Sequence, residues 1–290
     1  MIVDVHTHAP THVSEVPDGE VRWEHVMRPD RPVRMSNSYT DYLKAMEPVD
    51  RAIVFGIAPQ PGQNEVAGMS VREGNVNDDT ARVVKAAPHK LIGFMSVHPD
   101  DPKALEEMDR AVHDLGLRGI KLGPNYQNFE PLGRSARRVY GRAQELGLPI
   151  VFHQGTSPVR DAPIRYAHPL LMDEIAMAFP ELRIVMAHMG HPWQPDCIVV
   201  VRKHPNVYAD VSGGFYRPWS FYGALRLAYE WKVVDKLLFA SDWPVTDPRE
   251  NVTALRNFNA IARQHHWPEV PDEALEGIIH RDSLTILGMK

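Results

Sequence analysis

Eight short β-rich runs, separated by segments of helical periodicity, constrain this chain more than any other feature. They span 2–6, 51–57, 91–97, 117–122, 149–153, 182–188, 207–211 and 237–241. Several are near-continuous apolar stretches, as parallel strands covered on both faces must be. Between them the period changes. Leu105, Met108, Val112 and Leu115 recur at steps of three, four and three, and Leu171, Ile175 and Phe179 make a second stripe. These predict helices over 104–115 and 170–179. Gly116 and Gly147 sit where helices should end. Strand and helix alternating eight times predict an α/β fold of the (β/α)8 TIM-barrel type. A doubly wound open sheet competes, but the count of eight and the placing of the polar residues favour the barrel. Such a barrel uses all 290 residues as one domain, 1–290, and no repeat or linker divides them.

Composition excludes some partners. Lys plus Arg is 32 and Asp plus Glu is 37, a net charge of −5 with no basic block, so nucleic acid is not expected. No apolar run nears the roughly 18 residues of a membrane helix. The single cysteine, Cys197, forms no intrachain disulfide, and the N-terminus lacks a signal-peptide pattern, so a cytoplasmic protein acting on a small molecule is expected. The unusual figure is 15 histidines.

Where the histidines fall gives that figure meaning. A barrel builds its site at the C-terminal ends of its strands. Those ends here carry His6 and His8, Lys121, His153, His188 and Asp242. His6 and His8 are two apart, so they leave one face of a strand about 6.6 Å apart along it. Polar groups buried at several strand ends are costly unless they pair or coordinate something. Imidazole and carboxylate donors suit a divalent cation of the zinc type, manganese being the alternative. His6, His8, His153 and Asp242 are the candidate ligands. His188 is a fifth ligand or a free acid/base. Lys121 is either carbamylated, bridging two metals, or an ammonium for a substrate carboxylate. Arg160, Arg217 and Trp243 are further substrate-binding candidates. The loops over 9–40 and 58–78 are long enough to shape a site. Within them Trp23 reads as a cavity wall, and Met27, Met35 and Met69 as loop packing. The other histidines, His98 among them, read as solvated or capping, and His191 as a loop residue.

Taken in order, Asp4-x-His6-x-His8, Gly119-Ile-Lys-Leu122, Val151-Phe-His153-Gln-Gly155, Ala187-His188-Met-Gly190 and Ser241-Asp242-Trp-Pro244 resemble the amidohydrolase superfamily. More narrowly they resemble its amidohydrolase-related branch, which includes aminocarboxymuconate-semialdehyde decarboxylase and resorcylate decarboxylases. The resemblance covers essentially the whole chain. It implies one metal held by His6, His8, His153 and Asp242, with His188 catalytic and Lys121 not carbamylated. It also implies a homodimer. Some decarboxylases of the branch carry Glu beside the first-strand histidines. This chain has Ala9 and Pro10 there, which weakens a decarboxylase reading.

The leading expectation is metal-dependent hydrolysis of a small carboxylate-bearing amide, ester or lactone, with Asp242 as base and His188 as acid or oxyanion stabiliser. One alternative keeps the site and releases CO2 from an aromatic or muconate-like acid. Another, of a different class, is an inactive barrel that only binds.

Overall fold

A computed structural model describes residues 1–66, 69, 70 and 74–289. The central strands are β1 (Val3–His8), β2 (Arg51–Phe55), β3 (Leu91–Gly93), β4 (Ile120–Leu122), β5 (Ile150–Phe152), β6 (Ile184–Met186), β7 (Val207–Asp210) and β8 (Leu237–Leu238). All pair in parallel, β1 to β3 in one ladder and β4 to β8 in another. Two bridges join the ladders, Met95 to Ile120 and Thr7 to Trp243. Across these seams the Lys121 N–H donates to Met95 O at 2.7 Å and the His8 N–H to Trp243 O at 2.9 Å. The sheet therefore closes on itself and has no free edge. The fold is the (β/α)8 barrel.

A helix follows each strand: α1 (Tyr39–Ala45), α2 (Val76–Ala86), α3 (Ala104–His113), α4 (Arg134–Glu145), α5 (Leu171–Ala178), α6 (Gln194–Lys203), α7 (Pro218–Glu230) and α8 (Pro248–Arg256). The predicted stripe of α3 turns inward, with Met108 and Ala111 buried and Leu105 half-buried. Ser38 and Asp41 form a reciprocal capping box at the start of α1. Among the described residues no helix is long and apolar enough to cross a membrane.

Alternate strand residues divide into two apolar layers. Val5, Phe55, Phe94, Val151 and Val185 fill the barrel, while Val54, Ile120, Phe152 and Met186 face the helices. Burying each of the larger side chains contributes about 1.5–3 kcal/mol. Leu284, Leu287 and Met289 join the inner layer beside Val3. The C-terminal segment thus stoppers the end where the strands begin and leaves the other end for chemistry.

The strands stop earlier than the apolar runs suggest. β6 ends at Met186, and the next four residues form a tight turn in which His188 (φ 57°) and Met189 (φ 47°) take left-handed backbone. Asp242, beyond β8, does so too at φ 61°. Non-glycine residues hold this conformation at a cost of about 1–3 kcal/mol each, a strain characteristic of sites. The long loops also carry unpredicted hairpins, Trp23–Glu24 against Val33–Arg34 and Glu65–Val66 against Met69–Ser70. The rest of the second loop, 67–68 and 71–73, lies outside the described residues, as does the Met69 side chain.

Candidate active site

The placing of His6 and His8 depends on an irregularity. β1 pairs Asp4 with Ala52 and Thr7 with Val54, so Val5 and His6 together oppose Ile53. This is a β-bulge, one extra residue on one strand. Without it, a strand that buries Val3 and Val5 in the barrel would point His6 and His8 at the helices. With it, the parity switches. Thr7 faces outward, its hydroxyl 2.7 Å from the Tyr42 hydroxyl of α1, and both imidazoles face the interior. Asp4 clamps the bulge. Its Oδ1 accepts the backbone N–H of His6 at 3.1 Å and of Ser241 at 3.0 Å. Burial pushes the Asp4 carboxyl up to about 7.

One carboxylate orients two histidines. Asp210, at the end of β7, is fully buried. Its Oδ2 lies 2.9 Å from His6 Nδ1, so His6 donates from Nδ1 and its Nε2 lone pair faces the cavity. Its Oδ1 accepts the His188 backbone N–H at 3.0 Å and the Ser212 hydroxyl. Because that hydroxyl donates to Asp210, its oxygen accepts from His188 Nδ1, at 2.8 Å. His188 Nε2 is left for the cavity. Burial alone would raise the Asp210 carboxyl, but the His6 and His188 rings and the Ser212 hydroxyl outweigh it and hold the group below the usual range. Sequence reasoning missed this residue. A carboxylate ending an apolar run, as Asp242 nearly does, was the available signal.

The donors converge. Asp242 Oδ1 is 3.3 Å from Nε2 of both His6 and His8. Ligand atoms of His6, His188 and Asp242 all lie within 4.8 Å of one another. His153 Nε2 is buried with no hydrogen-bond partner among the described residues. Burial lowers the His6 imidazole to about 3, and lowers those of His8 and His153, so all three are neutral lone-pair donors. Burial would raise Asp242, yet the neighbouring His188, His8 and His6 keep it low and ionised. Nitrogen and oxygen donors in this state, with an orphaned Nε2 and a second carboxylate behind His6, fit a divalent cation. Lys121 belongs to the same cluster. Its Nζ is 3.2 Å from His6 Nε2 and 4.8 Å from the Phe55 ring centroid, and burial brings it down to about 8.

His8, Lys121, His153, His188 and Asp242 form the floor of a cavity of about 400 Å³, and His6 is fully buried against them. Lys121, Arg217 and Trp243 line it, whereas Arg160 is exposed and does not. Trp23 is 52% exposed and forms no part of the wall. Met27 and Met35 of the same loop do, against the reading of them as mere packing. His191 also lines the cavity. His98, read as solvated or capping, is buried between Gln127 O and the Asp100 N–H.

Gly155 locks two site loops together. It has φ +92°, and a Cβ there would stand 2.1 Å from His191 O. The Thr156 N–H donates to that same oxygen at 2.7 Å. Gly155→Ala should therefore cost about 2–4 kcal/mol of stability through strain and displacement of the His191 loop. A thermal melt checks this, and an unchanged midpoint would contradict the close approach.

Comparison with known proteins agrees with the barrel fold. An uncharacterized TIM-barrel protein from Bordetella bronchiseptica superposes with a TM-score of 0.68 at 22% identity, over 99% of this chain and 98% of that one. A dihydroxybenzoic acid decarboxylase from Polaromonas sp., solved with manganese and the inhibitor 2-nitroresorcinol, gives 0.67 at 17% identity, covering 99% and 97%. A probable 2-pyrone-4,6-dicarboxylic acid hydrolase from Acinetobacter baumannii, solved with citric acid, gives 0.62 at 13% identity, covering 99% of each. At these identities the likeness establishes fold alone. The family model described as amidohydrolase matches residues 3–288. The chain belongs to the amidohydrolase family, and is an enzyme of that superfamily rather than an inert barrel.

Proposed function

We propose that this protein is a metal-dependent hydrolase of a small carboxylate-bearing amide, ester or lactone. The observation that carries the reading is the pairing of an ionised carboxylate and an oriented imidazole, Asp242 and His188, with ligand atoms no more than 4.8 Å apart on the cavity floor. A reacting carbonyl and a water need one group on each side that can take and return a proton. His6, His8, His153 and Asp242 would hold the metal, zinc or manganese. When bound there it would acidify a water and polarise the carbonyl.

The chain's own groups do the rest. The Asp242 carboxylate accepts the proton of the attacking water. His188, as imidazolium, donates from Nε2 to the oxyanion and then to the leaving group, while Asp210 supports its positive charge through Ser212. Treatment with a chelator should lower hydrolysis at least a hundredfold, and added zinc or manganese should restore it. Full activity in protein shown to be metal-free would overturn the reading.

A second reading is favoured by the walls. Phe55, Ile57, Met35 and Val245 make an apolar slot above a floor that carries Lys121 and the donor cluster, which suits a planar carboxylated ring, and the Polaromonas protein is named a dihydroxybenzoic acid decarboxylase. In that case Asp242 or His188 would protonate ring carbon as CO2 leaves. Release of CO2 without oxygen uptake separates the two.

A further inference from the structure

We infer that the cavity carries a second, anion-binding subsite on its β5–β7 side, built from Gln154, His191 and Arg217, which holds a substrate carboxylate away from the reacting bond. The inference rests on the reading of the floor as the reaction centre, and it adds where the acid group of the substrate sits.

The cavity is polarised. The loops after β1, β2 and β8 supply apolar wall, such as Met27, Met35, Ile57 and Val245, whereas those after β5, β6 and β7 supply Gln154, His191 and Arg217. Among the described residues lining it, Asp242 is the one acid and Lys121 and Arg217 are the fixed cations. Lys121 is already engaged with His6 and Phe55. Arg217 packs on the Tyr216 ring and reaches Gly213 O, but it meets no carboxylate among the described residues.

Two arginines lie against the Tyr216 ring, and their contrast is informative. The Arg28 guanidinium, 4.8 Å from the ring centroid, is neutralised by Asp30 and Glu250. Arg217, at 4.7 Å, lines the cavity, donates to Gly213 O at 3.3 Å, and has no ion pair among the described residues. A guanidinium left unpaired in a partly desolvated wall is a carboxylate receptor by geometry and charge.

His191 stands close by as a fixed donor. The Gln194 side-chain N–H donates to its Nδ1 at 3.0 Å, so the ring proton sits on Nε2. Burial, and after it the neighbouring Arg217 charge, lowers this imidazole to about 4 and keeps it neutral. The loop is pinned by the approach of Gly155 and the Thr156 N–H to His191 O. Gln154 completes the set. It is fully buried, lines the cavity, and neither of its amide atoms has a hydrogen-bond partner among the described residues. A buried amide of this kind calls for a polar group from a ligand. The substrate is thus an acid with an apolar body. Its carboxylate meets these three groups, its hydrocarbon meets the opposite wall, and its reacting carbonyl meets the floor.

Calorimetric titration of the purified protein with phenylacetate and with its neutral counterpart phenylacetamide tests this without any turnover. Phenylacetate should bind at least tenfold tighter, since hydrogen bonds to a charged group carry about that factor. Arg217→Met should abolish the preference, Arg217→Lys should keep part of it, and Gln154→Leu should weaken phenylacetate severalfold while leaving phenylacetamide unchanged. A wild-type preference below threefold would overturn the subsite. So would a preference that survives Arg217→Met, because the carboxylate would then be bound on the floor. If Arg217→Met binds neither compound, Gln154→Leu decides, and equal losses for both compounds reject the proposal. Failure of hydrolysis in the chelator experiment leaves this binding result unaffected, so the two readings fail separately.

Discussion

Replacing His188 with asparagine should lower kcat by about 10²–10⁴-fold and change KM by no more than a few-fold. General acid–base groups contribute rate factors of that size. His188 Nδ1 is committed to Ser212 at 2.8 Å, so the cavity-facing nitrogen is the chemical one. Asparagine can keep a hydrogen bond to Ser212, but it cannot carry a proton to a leaving group at neutral pH. The left-handed backbone at this position, φ 57°, also favours asparagine over most residues. The variant should therefore fold. Steady-state kinetics on the best substrate found gives the answer, and a kcat within threefold of wild type would remove His188 from the chemistry. A rise in KM with unchanged kcat would make it a binding residue instead.

Asp210→Asn should be nearly as damaging, by a different route. The carboxylate accepts from His6 Nδ1, the His188 N–H, the Ser212 N–H and the Ser212 hydroxyl. An amide offers one acceptor atom and one donor atom. Whichever way it turns, an N–H group is set against another donor. Either His6 loses the partner that keeps its Nε2 lone pair toward the cavity, or Ser212 releases His188. Loss of a carboxylate behind a ligating histidine typically costs 10–100-fold in metal affinity or activity. The unsatisfied buried donor should cost a further 1–3 kcal/mol or so of stability. Metal content after dialysis, kcat/KM and a melt should be measured together. Lowered stability with unchanged metal affinity and kcat/KM would reduce Asp210 to a packing role. The imidazole ¹⁵N shifts of His6 and His188 report the tautomers directly, and they should change in the variant.

Much of this was visible in the sequence, for definite reasons. The barrel follows from eight apolar runs and the helical periods between them, which depend on local pattern. His6, His8, His153, His188 and Asp242 stood out because a polar residue closing an apolar run is costly without a purpose. The structure brings all five into one cluster, four of them on the cavity floor and His6 buried against them. What escaped notice depends on tertiary fact. Asp210 looked like an ordinary strand end, since the partner that explains it, His6, lies 204 residues away. Arg160 and Arg217 were equivalent on paper, yet the loop paths leave one in solvent and bring the other to the cavity wall. His98 seemed a solvated residue because nothing local announces that Gln127 O and the Asp100 N–H enclose it.

The extra residue in β1 also decides what kinds of change this lineage can absorb. Point substitutions around the histidines alter one contact at a time. Straightening the bulge with all its residues kept would swap the two sides of everything beyond Val5, so that His6 and His8 would point at the helices and Thr7 would stand in the barrel. Deleting Val5 would instead leave His6 opposite Ile53 and keep Thr7 and His8 on their present faces. The bulge can thus absorb the loss of one residue, whereas a one-residue slip of the strand cannot be absorbed. The same arithmetic limits protein engineers. A His-x-His pair grafted onto a regular barrel strand must take that strand's own inward positions, because only the bulge lets Val5 and the adjacent His6 both face in.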